Sequence, residues 1–341
     1  MAVTIKQIAE RAGVSRGTVD RALNGRGRIA PQRAEQILKL AAEMGYVPKT
    51  HGKGRAARRR IRIGVVTQLA HSSFMLEVNR GIRRAAEELR YRGGEVILKE
   101  GPSVDEAEQL RAIEELEAQG IGGLAIMPVE CERVRKKLND LIDAKGVPVV
   151  TFNSDIVGTN RLCFVGMDNR ASGRTAAGLL GLMTRGSGKV LIITGYFSNH
   201  VDNQRVDGFI DELKNSYPGM EIAGVHGSFD ETSEVARIIE STMISTAGIS
   251  GILVASGGQA GIAKAFEKLK LDKRPYVVIY DQTPKNEKIL REGTADFLID
   301  QNGYVQGYRP PHILADLLIR GQKPEQEYLF TEIRIKTKYN L

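Results

Sequence analysis

Residues 3 to 25 read VTIKQIAERAGVSRGTVDRALNG, and no other stretch constrains this chain as tightly. They encode two short helices joined by a glycine turn. Thr4 opens the pattern T-x-x-Q with Gln7, a capping box that satisfies orphan amides at a helix start. Ile5, Ile8 and Ala9 then form one apolar face at helical spacing. Gly13 supplies the backbone freedom of a tight turn. Ser15 is a second N-cap, opening a helix to about Leu23 that turns Val19 and Leu23 inward. The opposite face carries Arg16, Gly17, Asp20 and Arg21. In a helix-turn-helix such a face enters the major groove, where Arg binds guanine through two parallel hydrogen bonds. An ordinary helical hairpin with a solvated basic face would carry similar charges. The two caps, the glycine turn and the Arg spacing together favour DNA binding.

The charge distribution agrees. The first 60 residues hold 14 Lys and Arg against four Asp and Glu, and the rest of the chain 35 against 37. The whole net charge of +8 therefore comes from the head. A basic head on a near-neutral body points to phosphate contacts made by one module.

A third helix is expected from Pro31 through Ile37, Leu38 and Ala41, with Gly45 as its cap and Tyr46-Val47-Pro48 as its stop. Ile37, Leu40 and Met44 are expected to close a core of three helices. Residues 49 to 60, KTHGKGRAARRR, follow as a basic linker with almost no apolar content. Such a segment is flexible or folds only against DNA.

A chain of 341 residues fits two or three domains, and 42% hydrophobic residues suffice for ordinary cores. The N-terminus has no apolar signal region, and no stretch approaches the about 18 uncharged apolar residues of a membrane span. A cytoplasmic protein without membrane attachment is expected. Cys131 and Cys163 have no Cys or His at ligand spacing, so reduced structural thiols are expected and a zinc site is not.

Beyond Ile61, apolar strand-like runs alternate with helical patterns. IRIGVVT, EVILKE, GLAIMP and VPVVTF are separated by helices over 73–91, 104–119 and 131–145. A second series has KVLIIT, EIAGVH, GILVA and YVVIYD, with helices over 168–184, 201–216, 231–247 and 258–270. This alternation with continuous apolar strands predicts an α/β body of two doubly wound parallel sheets covered by helices. Ligands in such folds sit at the carboxyl ends of the strands, so a cleft between two lobes is the natural site. Pro310-Pro311 inside an apparent helix over 303–320 is expected to break or kink it.

Catalytic signals are weak. GSGKV at 186 to 190 has glycines before a strand, and Val190 replaces the hydroxyl residue that would hold a metal ion in a phosphate-binding loop. Ser154-Asp155 gives no nucleophile elbow, and no carboxylate pair stands out as a dyad. No cofactor, metal or catalytic residue is expected.

Polar residues at strand ends are more telling. His71 and Phe74 follow the first strand, Asn153 and Asp155 follow VPVVTF, and Arg205 lies in DNQRVDGF. Ser256 ends GILVAS, Asp281 ends YVVIYD and Gln301 ends DFLIDQ. Carboxylates, amides and an Arg fork beside an aromatic face suit a small polyhydroxylated ligand, whose hydroxyls both donate and accept. Strand-end polar residues also cap helices and bind loop backbone. Taken singly, Asn153, Ser256 and His71 fit that role, whereas Arg205 and Asp281 read as ligand contacts.

The head motif followed by GYVP closely resembles lactose-repressor-type (LacI/GalR) transcriptional regulators. From residue 61 the body is similar to the type I sugar-binding periplasmic-protein fold that those regulators share. The resemblance covers essentially the whole chain. It implies a homodimer reading pseudo-palindromic double-stranded operator DNA, usually as a repressor, with a sugar or polyol effector closing the lobes. Family base contacts fall on Arg16, Gly17 and Arg21; Asp20 stands where Ser is usual. The full expected DNA-contacting set is Thr4, Ser15, Arg16, Gly17, Thr18, Arg21, Asn24 and Arg58. The expected ligand set is His71, Phe74, Asn153, Asp155, Arg205, Ser256, Asp281 and Gln301. Ser256 departs from the usual Asn-Asp, and Asn153 stands where Asp is common. The implied domains are a head over 1–48, a linker or hinge over 49–60 and an effector domain over 61–341. Its lobes are expected at about 61–163 plus 293–322 and 164–292 plus 323–341, joined by three crossings. Two other classes compete: a solute-binding transport protein, suggested by the body alone, and an α/β enzyme acting on a sugar or nucleotide.

The linker departs from the family, whose hinge helix wedges a Leu into the minor groove. Gly52 and Gly54 disfavour helix, and no Leu lies between Tyr46 and Arg60. The Arg run at 58–60 either enters a narrow minor groove electrostatically or makes loose phosphate contacts. The C-terminus TEIRIKTKYNL lacks the leucine heptads that tetramerise some relatives, so a dimer is expected. A glycine-bearing linker should absorb part of any lobe movement. Replacing Gly52 and Gly54 by Ala is therefore expected to enlarge the effect of ligand on operator affinity, measured by DNA titration with and without ligand in both proteins.

Overall fold

The computed structural model describes residues 3–23, 29–44, 46, 61–197 and 199–341. The chain divides into two compact units, Met1–Arg59 and Arg60–Leu341. In the first unit, α1 (Ile5–Ala12), α2 (Arg16–Leu23) and α3 (Pro31–Glu43) enclose Ile8, Ala9, Val19, Ala22, Ile37 and Ala41. The capping box closes as the sequence predicts. The Thr4 amide donates to Gln7 Oε1 at 2.8 Å, and the Gln7 amide donates to Thr4 Oγ1 at 3.4 Å. Gly13 ends α1 at φ +62°. Ser15 caps α2 by accepting from the Thr18 amide at 3.1 Å. Leu38 is exposed and Leu40 half-buried, so Ala41 supplies the buried contact beside Ile37, with Met44 packed against the same core. The expected cap Gly45 lies outside the described residues.

The second unit begins with β1 (Ile61–Thr67), α4 (Met75–Tyr91), β2 (Gly94–Glu100), α5 (Glu106–Ala118) and β3 (Gly123–Ile126). Next come α6 (Glu132–Asn139), which runs on as a π-type turn over Asp140–Ala144, β4 (Val149–Phe152) and β5 (Cys163–Met167). The chain continues through α7 (Asn169–Thr184), β6 (Gly188–Thr194), α8 (His200–Ser216), β7 (Met220–Gly227) and α9 (Thr232–Ser245). After these lie β8 (Ile249–Val254), α10 (Ala260–Leu269), β9 (Tyr276–Tyr280), α11 (Pro284–Arg291) and β10 (Phe297–Asp300). It ends with α12 (Gly303–Arg320), β11 (Tyr328–Thr331) and β12 (Arg334–Lys336).

One six-stranded sheet has the order β11-β5-β4-β3-β1-β2, and the other β12-β10-β9-β8-β6-β7. All neighbours run parallel except β12, which is antiparallel to β10. Each sheet belongs to one lobe. The central strands are buried on both faces, which is why they read as continuous apolar runs.

The lobe limits differ from the sequence expectation. β5 lies wholly in the first lobe, because Cys163–Phe164–Val165 pair with Val150–Thr151–Phe152 of β4. β10, expected in the first lobe, pairs with β9 in the second. β11, expected in the second, pairs with β5 in the first. The chain thus crosses between lobes after Met167, after Asp300 and after Thr331. Short apolar strands go where a neighbouring strand completes their hydrogen bonds, and local pattern carries no record of that neighbour.

Two helix pairs pack backbone to backbone through reciprocal glycines. A Cβ on Gly173 of α7 would lie 2.0 Å from the Arg205 carbonyl oxygen, and one on Gly208 of α8 would lie 2.1 Å from that of Arg170. In the first lobe, a Cβ on Gly81 of α4 would meet the Tyr304 carbonyl at 2.1 Å, and one on Gly307 of α12 that of Val78 at 2.0 Å. The expected break at Pro310-Pro311 does not occur: α12 runs through both residues. Each proline removes an i to i−4 hydrogen bond at a cost of about 3 kcal/mol. Both prolines are buried, and α12 lies along α4 and the sheet, so tertiary packing outweighs the local penalty.

Gly173→Ala is expected to lower stability by about 1–3 kcal/mol or more through overpacking. Gly178→Ala on the same helix, where a Cβ meets nothing within 4 Å, should be neutral or stabilising. Urea unfolding midpoints of the two variants check this contrast.

Candidate functional site

On α2, Arg16, Gly17 and Arg21 share the exposed face, with Thr18 and Asp20 half-buried beside it. Arg21 Nε donates to the Gly17 carbonyl at 3.0 Å, which lays its guanidinium along the helix surface. Ser15 and Thr18 are joined hydroxyl to hydroxyl at 2.9 Å. Thr4 sits exposed at the start of α1. Asn24, Arg58 and the linker 49–60 lie outside the described residues.

In the second lobe, Arg205 of α8 is the centre of a buried polar network. The residue is 3% exposed. Its Nε donates to Asn169 Oδ1 at 3.1 Å, Nη1 to the Ala255 carbonyl at 2.8 Å and Nη2 to Gln301 Oε1 at 3.2 Å. Its guanidinium carbon lies 4.3 Å from the centre of the Tyr280 ring. A buried charge this well bonded avoids the several kcal/mol cost of an unsatisfied one. Of its five N–H groups, three are used in these bonds among the described residues.

Asp281 follows β9 with φ +72°, and its Oδ1 accepts from Gln301 Nε2 at 2.6 Å. Burial pushes its carboxyl above the usual range, while Arg205 and the Gln301 bond pull it down. Tyr280 hydrogen-bonds Ser172 at 3.1 Å, and burial raises its hydroxyl to about 12. Gln301 has a second role, because it occupies a crossing between lobes. Its carbonyl accepts from Gln306 Nε2 at 2.7 Å and from Thr331 Oγ1 at 3.0 Å. Ser256 is 8% exposed, and its hydroxyl has no hydrogen-bond partner among the described residues.

The first lobe contributes less. Phe74 ends the turn before α4, with a ring edge that would meet a Cβ on Gly303 at 2.9 Å. His71 is exposed in the same turn. Asn153, at φ +62°, donates to Gln306 Oε1 at 3.0 Å. Asp155 is taken up within the lobe: Arg161 grips it at 2.6 and 2.5 Å, and Thr151 donates to it at 2.7 Å. Arg161 and Thr151 thus take three of the acceptor sites of this carboxylate and hold it within the first lobe. Across the lobes, His200 Nδ1 faces Glu130 Oε2 at 3.8 Å.

Four polar residues of this region are missing from the set expected from sequence: Asn169, Asp202, Asp230 and Gln306. Asp202 precedes Arg205 by three residues on one helix, a spacing that places both on the same face. It is 4% exposed, and desolvation pushes its carboxyl up to about 7 against the pull of Arg205, with Asp230 adding to the rise. Cys131 and Cys163 are both free thiols, and burial raises that of Cys163 to about 11. Among the described residues, no group of His, Cys, Asp and Glu could hold a metal ion, and no helix is long and apolar enough to cross a membrane.

The model of bacterial regulatory proteins of the lacI family matches residues 4–49, and that of the periplasmic binding protein domain matches residues 63–323. The chain belongs to the lacI family, with a periplasmic-binding-protein body. This lacI-type chain is a DNA-binding transcriptional regulator. It is 27% identical over 246 residues to the HTH-type transcriptional regulator CelR of Thermobifida fusca, covering 70% of this chain and 69% of the relative. It is 26% identical over 212 residues to AscG of Escherichia coli (strain K12), another HTH-type transcriptional regulator, covering 62% and 60%. The match thus spans less than two thirds of the second relative. The fold is also that of GanP, a glucose-galactose binding protein from Geobacillus stearothermophilus, with TM-score 0.75 and 23% identity over 83% of this chain and 99% of that one. A solute binding protein from Burkholderia graminis C4D1M, in complex with D-arabinose, gives TM-score 0.75 and 24% identity over 84% and 98%.

In this regulator the raised Asp202 carboxyl costs stability once it ionises. A folded pKa above the unfolded one means stability that is full below the unfolded value and lost as pH rises through the folded value. Asp202→Asn is therefore expected to gain stability over the parent as pH rises from about 4 to about 7, and to hold that gain above. Melting temperatures of both proteins across that range check it.

Proposed function

We propose that this regulator is a homodimeric repressor whose affinity for a pseudo-palindromic operator is set by a small polyhydroxylated, sugar-like effector bound between the lobes of its body. The buried Arg205 fork with Asp281 and Gln301, at the carboxyl ends of the second lobe's strands, carries the effector half of the proposal. Such a fork and carboxylate suit paired hydroxyls, with the Phe74 ring and Asn153 on the first-lobe side and Ser256 and His71 as further contacts. The names of the structural neighbours, which bind glucose, galactose or arabinose, support the same ligand class.

Arg16, Gly17 and Arg21 read base edges, while Thr4, Ser15 and Thr18 position the head on phosphates. Asn24 and Arg58 extend that contact set. Lobe closure by effector changes operator affinity, and coupling of about 1–3 kcal/mol must act equally in both directions. The protein works in the cytoplasm, takes no cofactor and performs no catalytic step. A transport role fits the body alone, and the lacI head on the same chain favours regulation.

Arg21→Ala is expected to cost about 1–3 kcal/mol at one position of each half-site, measured by titration against single-base operator variants. Unchanged discrimination would remove α2 as the reading helix. Footprinting on genomic DNA, with and without sugars, tests the proposal as a whole; the absence of any protected site would overturn it.

A further inference from the structure

Beside the Arg205 network, and joined to it by Asp202, whose Oδ1 lies 4.0 Å from Arg205 Nη1, the second lobe holds a cluster of oxygens at the carboxyl ends of β6, β7 and β8. Gly195 forms its floor. A Cβ on Gly195 would lie 2.7 Å from Asp230 Oδ1, 2.9 Å from Asp202 Oδ2 and 2.9 Å from Ser256 Oγ. Three elements thus bring three oxygens together over one residue that has no side chain. The absence of a side chain at Gly195 lets the three oxygens stand this close, since a Cβ would displace all three.

The cluster is short of hydrogen-bond donors. Asp202 receives a backbone amide from Tyr196, and Asp230 Oδ1 receives that of Gly257 at 2.7 Å. Ser256 Oγ is buried and unpartnered among the described residues. A buried hydroxyl left unbonded carries a desolvation cost that a ligand contact would recover. The surroundings are acidic: Asp202 and Arg205 come from α8, Asp230 from the turn after β7, and Asp281 and the Tyr280 hydroxyl from β9 and its end. Arg205 acts on Asp202 and Asp281, and Asp230 adds a further carboxylate beside them.

The rim is aromatic. Tyr196, Phe197 and Phe229 are 46%, 59% and 56% exposed, and the rings of Tyr196 and Phe229 meet edge to face at 5.5 Å. Phe229 and Asp230 both adopt left-handed backbone, at φ +55° and +60°. Two consecutive residues in this strained region leave the Phe229 ring exposed and set the Asp230 carboxylate over Gly195. Carboxylates flanked by exposed aromatic residues suit a cationic nitrogen, through charge-assisted hydrogen bonds and ring quadrupoles. A neutral hydroxyl would bring no charge to offset the Asp202 carboxyl as it ionises. Metal is disfavoured as the cation, since the described residues include no group of ligands that could hold one.

We infer that this cluster takes a protonated amino group, so that the effector is an amino-bearing sugar. The inference rests on the proposal that the cleft is the effector site. Burial already raises the Asp202 carboxyl to about 7, and an adjacent ammonium group would lower it again, so binding should release a proton.

The test uses full-length protein and calorimetric titration with matched probes: glucosamine against glucose, galactosamine against galactose and mannosamine against mannose. At least one amino sugar should bind about tenfold or more tightly than its neutral parent. That affinity should rise by up to about tenfold between pH 6 and pH 7, while a neutral sugar's stays level. Asp202→Asn should remove both the preference and the pH dependence. Ser256→Ala, which deletes only an unpartnered hydroxyl, should weaken the amino sugar severalfold and by more than its neutral parent. Neutral sugars binding as well as their amino counterparts, or a preference that survives Asp202→Asn, would overturn the amino subsite and leave the effector cleft standing. Failure of every probe of both kinds would overturn the cleft reading along with it.

Discussion

The burial of one guanidinium governs the second lobe. Arg205 can sit 3% exposed only because Asn169, Ala255 and Gln301 accept its hydrogen bonds and the Tyr280 ring lies beneath it. Those partners come from α7, the end of β8, a crossing between lobes and β9. They meet because α7 and α8 approach to backbone contact through Gly173 and Gly208. The carbonyl that touches Gly173 belongs to Arg205 itself, so the helix crossing also sets the height of the Arg side chain. Close packing in this core is thus a condition of the binding chemistry.

The same network reaches the hinge. Gln301 bonds Arg205 and Asp281 with its side chain, while its carbonyl is held by Gln306 of α12 and by Thr331 at the end of β11. Gln306 in turn receives Asn153 from the end of β4. A ligand that rearranges the Arg205 fork therefore acts on a residue tied to both lobes. This gives a physical route by which occupancy of the cleft biases one lobe arrangement over another, in proportion to the ligand's differential affinity. His200 and Glu130, facing each other across the lobes, add a contact that closure would tighten or release.

Much of this was legible in order. The capping box of Thr4 and Gln7, the turn at Gly13 and the Ser15 cap are local signals, and each forms as its spacing implies. Strands such as KVLIIT and YVVIYD announce themselves because both faces are buried, which leaves no polar alternation to obscure them. Asp281 and Gln301 were visible as polar residues at strand ends and Arg205 as a polar residue of the segment after KVLIIT, and the structure brings all three together. Asp155 showed the same signal but serves Arg161, which strand position cannot distinguish. Asp202 and Asp230 were missed because a carboxylate near a helix start ordinarily reads as a cap.

From sequence alone came the modular plan: a basic helix-turn-helix head, an α/β body and the identity of most polar groups at its strand ends. These follow from periodicity, caps and charge, all of which act within a few residues. Tertiary structure alone decided which strands share a sheet, and so where the lobes end. It also decided that Pro310 and Pro311 ride inside an unbroken helix, and that three oxygens converge over Gly195. Those outcomes depend on contacts between residues far apart in the chain, and their free energies are comparable with or larger than the local preferences they override.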